Sequence, residues 1–246
     1  NYVQANKAGE EGGVTFAYLS PKLDIDFMYN LNNHYNRQGY KLITRHTLND
    51  EIHNISQSTN GENRQLVHTF RFGGNYKLNE QSQLGLSYTS SLNPDKRQSV
   101  TSSDNHSTTF NHAPAEEQMH NVALNYTSGF GLTGGIDYTY FRNKEEQSFR
   151  SIENNGQETT FLSNTAQYIN RWKVYVDQNH TLSNAWVLNY GTSFTYVNNH
   201  NSQRYNLAAM SGMNKESRVD EYTYNLYTGF EKNFGSQWSL NASASI

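Results

Sequence analysis

From Leu23 to Leu31 the chain alternates: Leu23, Ile25, Phe27, Tyr29 and Leu31 are interleaved with Asp24, Asp26, Met28 and Asn30. Successive side chains of a strand point to opposite faces, so a period of two predicts a strand with one apolar and one largely polar face. Val14, Phe16 and Tyr18 precede it across Ser20-Pro21-Lys22, which suits a tight turn. Leu66, Phe70, Phe72, Gly74, Tyr76 and Leu78 share one parity, with His68 among them, and return after 79–82 as Leu84, Leu86, Tyr88 and Leu92. Val122, Leu124 and Tyr126 lead through Ser128-Gly129-Phe130-Gly131 into Leu132, Gly134, Ile136, Tyr138 and Tyr140. Trp172, Val174 and Val176 lead through 181–184 into Trp186, Leu188, Tyr190, Phe194 and Tyr196. Tyr222, Tyr224, Leu226 and Phe230 lead through 234–237 into Trp238, Leu240, Ala242 and Ala244. The pattern predicts about ten strands in five hairpins.

Between the hairpins lie 37–62, 93–117, 143–163 and 198–220, rich in Asn, Ser, Gln, Glu and Lys and expected as long polar loops. Four such loops count against a compact soluble domain, whereas short turns on one side and long loops on the other suit a transmembrane barrel. A hydrophobic fraction of 35% and a mean hydropathy of -0.86 accompany 18 Tyr, 12 Phe and 3 Trp. A chain both polar and aromatic fits strands that face lipid on one side and water on the other. There is no run of some twenty apolar residues for a helical span, which leaves a closed barrel as the way to cross a membrane. The expected fold class is therefore all-β, an antiparallel up-and-down transmembrane β-barrel over residues 13–246, preceded by an extension at 1–12. Ten residues from Trp172 to Leu182 climb roughly 25 Å at ~40° tilt, the height of an apolar band. Trp186, Phe234, Trp238 and Phe130 are expected at the short-turn border, and Tyr35, Tyr140, Tyr196 and Tyr222 at the other, as two aromatic girdles. Alternation fits a closed ten-stranded barrel and a segment of a wider one equally.

A net charge of -3 offers no electrostatic footprint for nucleic acid. The absence of Cys removes disulfides and thiolate chemistry. Nine His are scattered without an HExxH pair; His106 and His112 share one segment with Asp104, Glu116 and Glu117, a spacing that specifies no metal site. No GxSxG elbow is present. Asp24 and Asp26 share a polar face, where a lumen acid pair is less expected than carboxylates in water beside basic partners. The expectation is a protein that is not an enzyme, with no cofactor and no metal. Ligand or partner contacts are expected on the loops, carried by Tyr35, Arg37, Tyr40, Phe110, Phe161 and Tyr205, with Met210 nearby. Lipid of the membrane is the implied surrounding partner.

Trp172-Lys173-Val174-Tyr175-Val176-Asp177-Gln178-Asn179-His180-Thr181-Leu182-Ser183, followed by Trp186, resembles the outer-membrane β-barrel family related to TonB-dependent receptors, including its SusC-like members. Tyr222–Tyr227 and Phe230-Glu231-Lys232-Asn233-Phe234-Gly235-Ser236-Gln237-Trp238-Ser239-Leu240 look like a late barrel hairpin of that family. Leu78-Asn79-Glu80 with Leu84-Gly85-Leu86-Ser87 is similar to an earlier one. The resemblance runs in order over Gly12–Ile246. It implies an outer-membrane location in a Gram-negative bacterium and a barrel of about 22 strands, the size of plugged transporters. It further implies nutrient uptake energised through TonB; a surface lipoprotein is a further expected partner, met by the loops, above all if the barrel is a scaffold. The family's N-terminal domain, plug and TonB-contacting segment are not among these residues, and 1–12 has no leader pattern. The chain is thus expected to be a barrel segment. The alternatives are a scaffolding barrel in a surface or secretion complex and a soluble β-sandwich binding module.

Overall fold

The computed structural model describes residues 2–3, 9–48, 51–182, 186–234 and 237–246. The strands are β1 (Tyr2–Val3), β2 (Glu10–Leu19), β3 (Leu23–Leu48), β4 (Glu51–Lys77), β5 (Gln83–Ser103), β6 (Ser107–Thr127), β7 (Leu132–Glu153), β8 (Glu158–Thr181), β9 (Trp186–Tyr205), β10 (Lys215–Phe234) and β11 (Trp238–Ser245). From β3 onward each strand pairs antiparallel with the next, and β1 and β2 both lie on the free edge of β3, so the sheet is ten strands wide. The five hairpins are those the alternation predicts. The centres of two expected turns, 183–184 and 235–236, lie outside the described residues, as do the side chains of His46 and His53.

The expected long loops are corrected by the structure. Residues 37–48 with 51–62, 93–117 and 143–163 continue as paired strands almost to their crests, through partners such as Asn36↔Asn63, Ser103↔Thr108 and Ser151↔Thr159. In 198–220 the strands reach Tyr205 and resume at Lys215, with a 3-10 turn at Ala208–Met213 between them. Their polarity has a different cause: both faces of these extensions meet water, so the period of two disappears while the backbone ladder persists.

The opposite ends are closed by side chains that mimic backbone. Ser20 Oγ donates to Leu23 O at 2.8 Å and accepts from Leu23 N at 2.9 Å. Ser128 does the same with Leu132, and Asn79 Oδ1 accepts from Gln81 N at 2.9 Å.

Register fixes how the sheet leans. The row of register partners from Leu23 runs through Tyr76, Leu84, Tyr126, Gly134, Val176 and Thr192 to Leu226, seven strand steps. Leu23 opens β3, but Leu226 lies eight residues (226 to 234) above the end of β10 at Phe234. Eight residues are roughly 26 Å of stagger over roughly 34 Å of sheet width, a tilt of about 38°. Strands of closed barrels tilt by 35–45°, so the register carries barrel shear.

The apolar residues that set the period of two fall on one face. They stay uncovered there: Phe16 is 57% exposed, Val176 46% and Tyr224 72%. Each residue climbs roughly 2.6 Å at this tilt, and the apolar stretch of β9 ends at Tyr196, ten residues (186 to 196) above Trp186, roughly 26 Å up. Rings collect at both borders. Tyr196 and Tyr222 lie 5.1 Å apart at the upper one, and Trp172 and Tyr138, 4.4 Å apart, extend the aromatic row down into the band. At the lower one Trp186 and Phe230 lie 5.5 Å apart, and Lys232 Nζ sits 4.5 Å over Trp186. His68, on the same face, has its Nδ1 2.9 Å from the Tyr29 hydroxyl.

The other face is polar and networked. Asp137 accepts from Asn121 at 2.8 Å and from Arg171 at 3.3 Å, and the Tyr227 hydroxyl donates to Asp177 at 2.7 Å. Asp26 has Arg71 at 3.7 Å, the basic partner expected for a carboxylate on a wet wall. Gly191, the register partner of both Asp177 and Tyr227, leaves room for that approach. A Cβ on Gly191 would come within 2.3 Å of Asp177 Oδ1. Five of the seven buried side chains among the described residues, Thr59, Asn93, Ala113, Ala115 and Ser163, lie on this face. Side chains crowd on the concave side of a curved sheet, so the polar face is the inner one. Among the described residues no pairing joins β2 to β11.

Candidate ligand surface on the hairpin extensions

Above the apolar band the two faces carry different chemistry. On the polar face, Phe149 of β7 and Phe161 of β8 are register partners, and their rings stack at 4.7 Å. Tyr205 of β9 meets Phe161 edge-on at 6.0 Å. Ser163 is the register partner of both Gln147 and Tyr205 and is only 2% exposed. Amides surround the rings: Gln147 donates to Asn111 at 3.0 Å, and Gln203 donates to the Tyr205 hydroxyl at 2.8 Å. Asn206 Oδ1 accepts from Leu162 N at 2.6 Å and Asn214 Oδ1 from Tyr205 N at 2.7 Å, which ties the 3-10 turn bearing Met210 to this cluster.

The apolar face continues upward as an ion-paired surface. Arg37 faces Glu62 at 3.5 Å, Arg142 reaches Glu116 at 3.0 Å, and Arg150 grips Glu158 through two bonds of 2.9 and 3.0 Å. Those bonds hold the Glu158 carboxyl below the usual carboxylate range. Glu216 is lowered as well, first by the hydrogen bond from His200 at 3.0 Å and then by its charge.

Period two thus divides the six residues that the sequence points to. Tyr40, Phe161 and Tyr205 lie on the polar face; Tyr35, Arg37 and Phe110 lie on the other. Phe161 and Tyr205 meet, Tyr35 and Arg37 are neighbours along β3, and Tyr40 and Phe110 stand apart, opposite Thr59 and Arg150 respectively. Phe149, Gln147 and Ser163 belong to the cluster without being among those six. Their signal is the parity of β7 and β8, which shows only when the polar segment is read as strand.

The acidic and histidine residues of 104–117 do not converge. Glu117 binds Lys96 at 3.0 Å, His112 Nδ1 lies 2.7 Å from Ser99 Oγ, and Asp104 caps its own turn. Asp104 Oδ1 accepts from the backbone of His106 at 2.8 Å and of Ser107 at 2.7 Å. Those two bonds, the His106 one foremost, lower its pKa. A carboxyl lowered on folding orders the turn fully above its unfolded value of about 3.9, and that contribution is lost as pH falls through the lower folded value. The Ser107 amide resonance is therefore expected to stay constant from pH 7 to about 4 and to move only in stronger acid. In Asp104→Ala that acid transition should be missing; an unchanged transition would reject the cap.

No family model matches the sequence, and no curated protein matches it. Among the solved structures that match in shape are three outer-membrane proteins. The ferric yersiniabactin uptake receptor FyuA from Yersinia pestis superposes with a TM-score of 0.54 at 8% identity, over 98% of this chain and 47% of that one. The ferric citrate transporter FecA in its unliganded form gives 0.47 at 9%, over 96% and 41%. The alcaligin outer membrane receptor FauA from Bordetella pertussis gives 0.36 at 10%, over 96% and 40%. The chain spans less than half the length of each of these proteins. At such identities the likeness concerns the fold, and the FyuA superposition places the tilted ten-stranded sheet as barrel wall.

Proposed function

We propose that this chain forms part of the wall of an outer-membrane receptor barrel that takes up a nutrient, with the hairpin extensions as the ligand surface. The observation that carries this reading is the uncovered apolar face of one continuous sheet, roughly 26 Å tall and tilted by about 38°. In a soluble sandwich that face would pack on a second sheet. Soluble proteins rarely leave apolar patches beyond a few hundred Å² open. The polar concave face lines the passage, and the Phe149–Phe161–Tyr205 cluster stands at its mouth. Energy coupling through TonB and a surface lipoprotein at the hairpin crests belong to the same proposal.

Fractionation and uptake test it together. The full-length protein should require detergent for extraction from outer membranes. Cells lacking its gene should lose growth on one nutrient of a defined panel, restored by the wild type and weakened with Phe161→Ala/Tyr205→Ala. Recovery of folded protein in aqueous buffer would overturn the membrane location. Unimpaired growth of the deletion strain on every nutrient would overturn the uptake role.

A further inference from the structure

We infer that the inner face of the hairpin extensions binds an uncharged oligosaccharide laid along β7 to β9, with a sugar ring stacked on Phe161 and Tyr205. The inference rests on the uptake reading proposed above and names the class of its ligand. Register arranges the surface in rows. Phe149 and Phe161 stand highest, and beneath them follow Gln147–Ser163–Tyr205, Glu145–Thr165–Gln203 and Asn143–Gln167–Asn201. The three rings are half-buried, so each keeps part of its surface open. From Phe161 to Gln167 the strand advances six residues (161 to 167), roughly 20 Å, which suits a chain of sugars rather than a single one.

Charge selects the class. On this face of β7 to β9, from Phe141, Ile169 and Asn199 up to the rings, Glu145 is the only charged side chain among the described residues. Lys215 of β10 flanks the site opposite Gln203, and its single charge is matched by Glu145 in the same row. On the other side Lys96 and Glu117 neutralise each other at 3.0 Å. Arg142, Lys144, Arg150 and Arg204 of the same strands all lie on the opposite face, so neutrality belongs to the face and not to the segment. An acidic ligand would find one flanking lysine and no guanidinium fork. A sugar needs neither. Its hydroxyls both donate and accept, as Asn and Gln side chains do, and the C–H face of its ring lies flat on an aromatic one. Gln167 and Asn201 both donate to Asn199 Oδ1, at 3.5 and 3.0 Å, so the amides are linked across strands before any ligand arrives. Ser163 Oγ, buried in the row below the phenylalanines, has no hydrogen-bond partner among the described residues and is left for a ligand hydroxyl.

The test screens the full-length protein, extracted in mild detergent, against arrayed oligosaccharides of uncharged hexoses and pentoses, with oligogalacturonate as their carboxylated counterpart. At least one uncharged chain should bind, and oligogalacturonate should not. Calorimetry with the bound chain should give a Kd that changes less than about twofold between roughly 0.05 and 0.5 M NaCl, since no charge pair is there to be screened. Phe161→Ala should weaken binding at least about tenfold. Phe161→Leu, which keeps an apolar side chain and loses the flat ring, should weaken it in the same direction without endangering the fold. Phe161→Tyr, and Ser148→Ala on the outward side of β7, should bind as the wild type does. Binding of no uncharged chain, preference for oligogalacturonate, or equal affinity of the wild type and Phe161→Leu each overturns the inference. Loss of growth by the deletion strain on a ferric chelate alone would also overturn it and leave uptake standing. Saccharide binding without a growth defect on any nutrient would overturn uptake and leave the saccharide site standing.

Discussion

Val122→Arg is expected to destabilise the membrane-inserted protein by about 2–4 kcal/mol, while Ala123→Arg, one residue along the same strand, is expected to change it by less than about 1 kcal/mol. Val122 lies five residues (122 to 127) above the end of β6, roughly 13 Å up a band of roughly 26 Å. It is 40% exposed and its register partners are Tyr88 and Tyr138, so an arginine there meets lipid and no carboxylate. Ala123 faces the other way, between Ser87 and Asp137, and Asp137 already accepts from Arg171 and Asn121. A new guanidinium on that side finds water and an anion. Urea titration of the full-length protein refolded into lipid vesicles measures both variants. Equal losses, or a larger loss at Ala123, would mean that the two faces have been assigned to the wrong solvents.

The same asymmetry decides what the sequence can convey. Leu23 to Leu31 announce a strand because lipid and water select opposite residue types on its two faces. Over 36–45 and 55–63 both faces meet water, the selection vanishes, and a paired β3–β4 ladder has the composition of a loop. Pro94 and Pro114 strengthen that impression. Pro94 and Asp95 fall where β5 carries an extra residue against β6, a bulge that needs no amide from proline, and Pro114 lies in a stretch of β6 without partners on β7. The Phe149–Phe161 stack is hidden for the same reason, since it depends on a register that passes through the Gly156 turn. The tilt is out of reach altogether: it accumulates by about one residue per strand and exists only in the pairing of all of them.

The turns are where backbone conformation matters most, and two glycines separate its components. Gly131 and Gly156 both have positive φ, +88° and +85°. Adding a Cβ in that region costs about 1–2 kcal/mol on conformation alone. At Gly156 nothing lies within 4 Å of the added atom, so Gly156→Ala should lose no more than that, and Gly156→Asn less. At Gly131 the Cβ would lie 2.0 Å from the carbonyl oxygen of Asn179, whose amide donates to Gly131 O at 2.9 Å. Both sides of that clash are backbone, so no rotamer change relieves it, and separating them opens the lower end of the β7–β8 ladder. A clash of this kind adds about 1–3 kcal/mol, for a total near 3 kcal/mol in Gly131→Ala. Urea midpoints of the two alanine variants in vesicles should differ accordingly, and similar midpoints would show that the turn yields without disturbing β8. Because Gly131 sits at the rim opposite the hairpin extensions, its variant should lower the amount of folded protein in the membrane. The ligand surface at Phe161 and Tyr205, on the part that does fold, should be left unchanged.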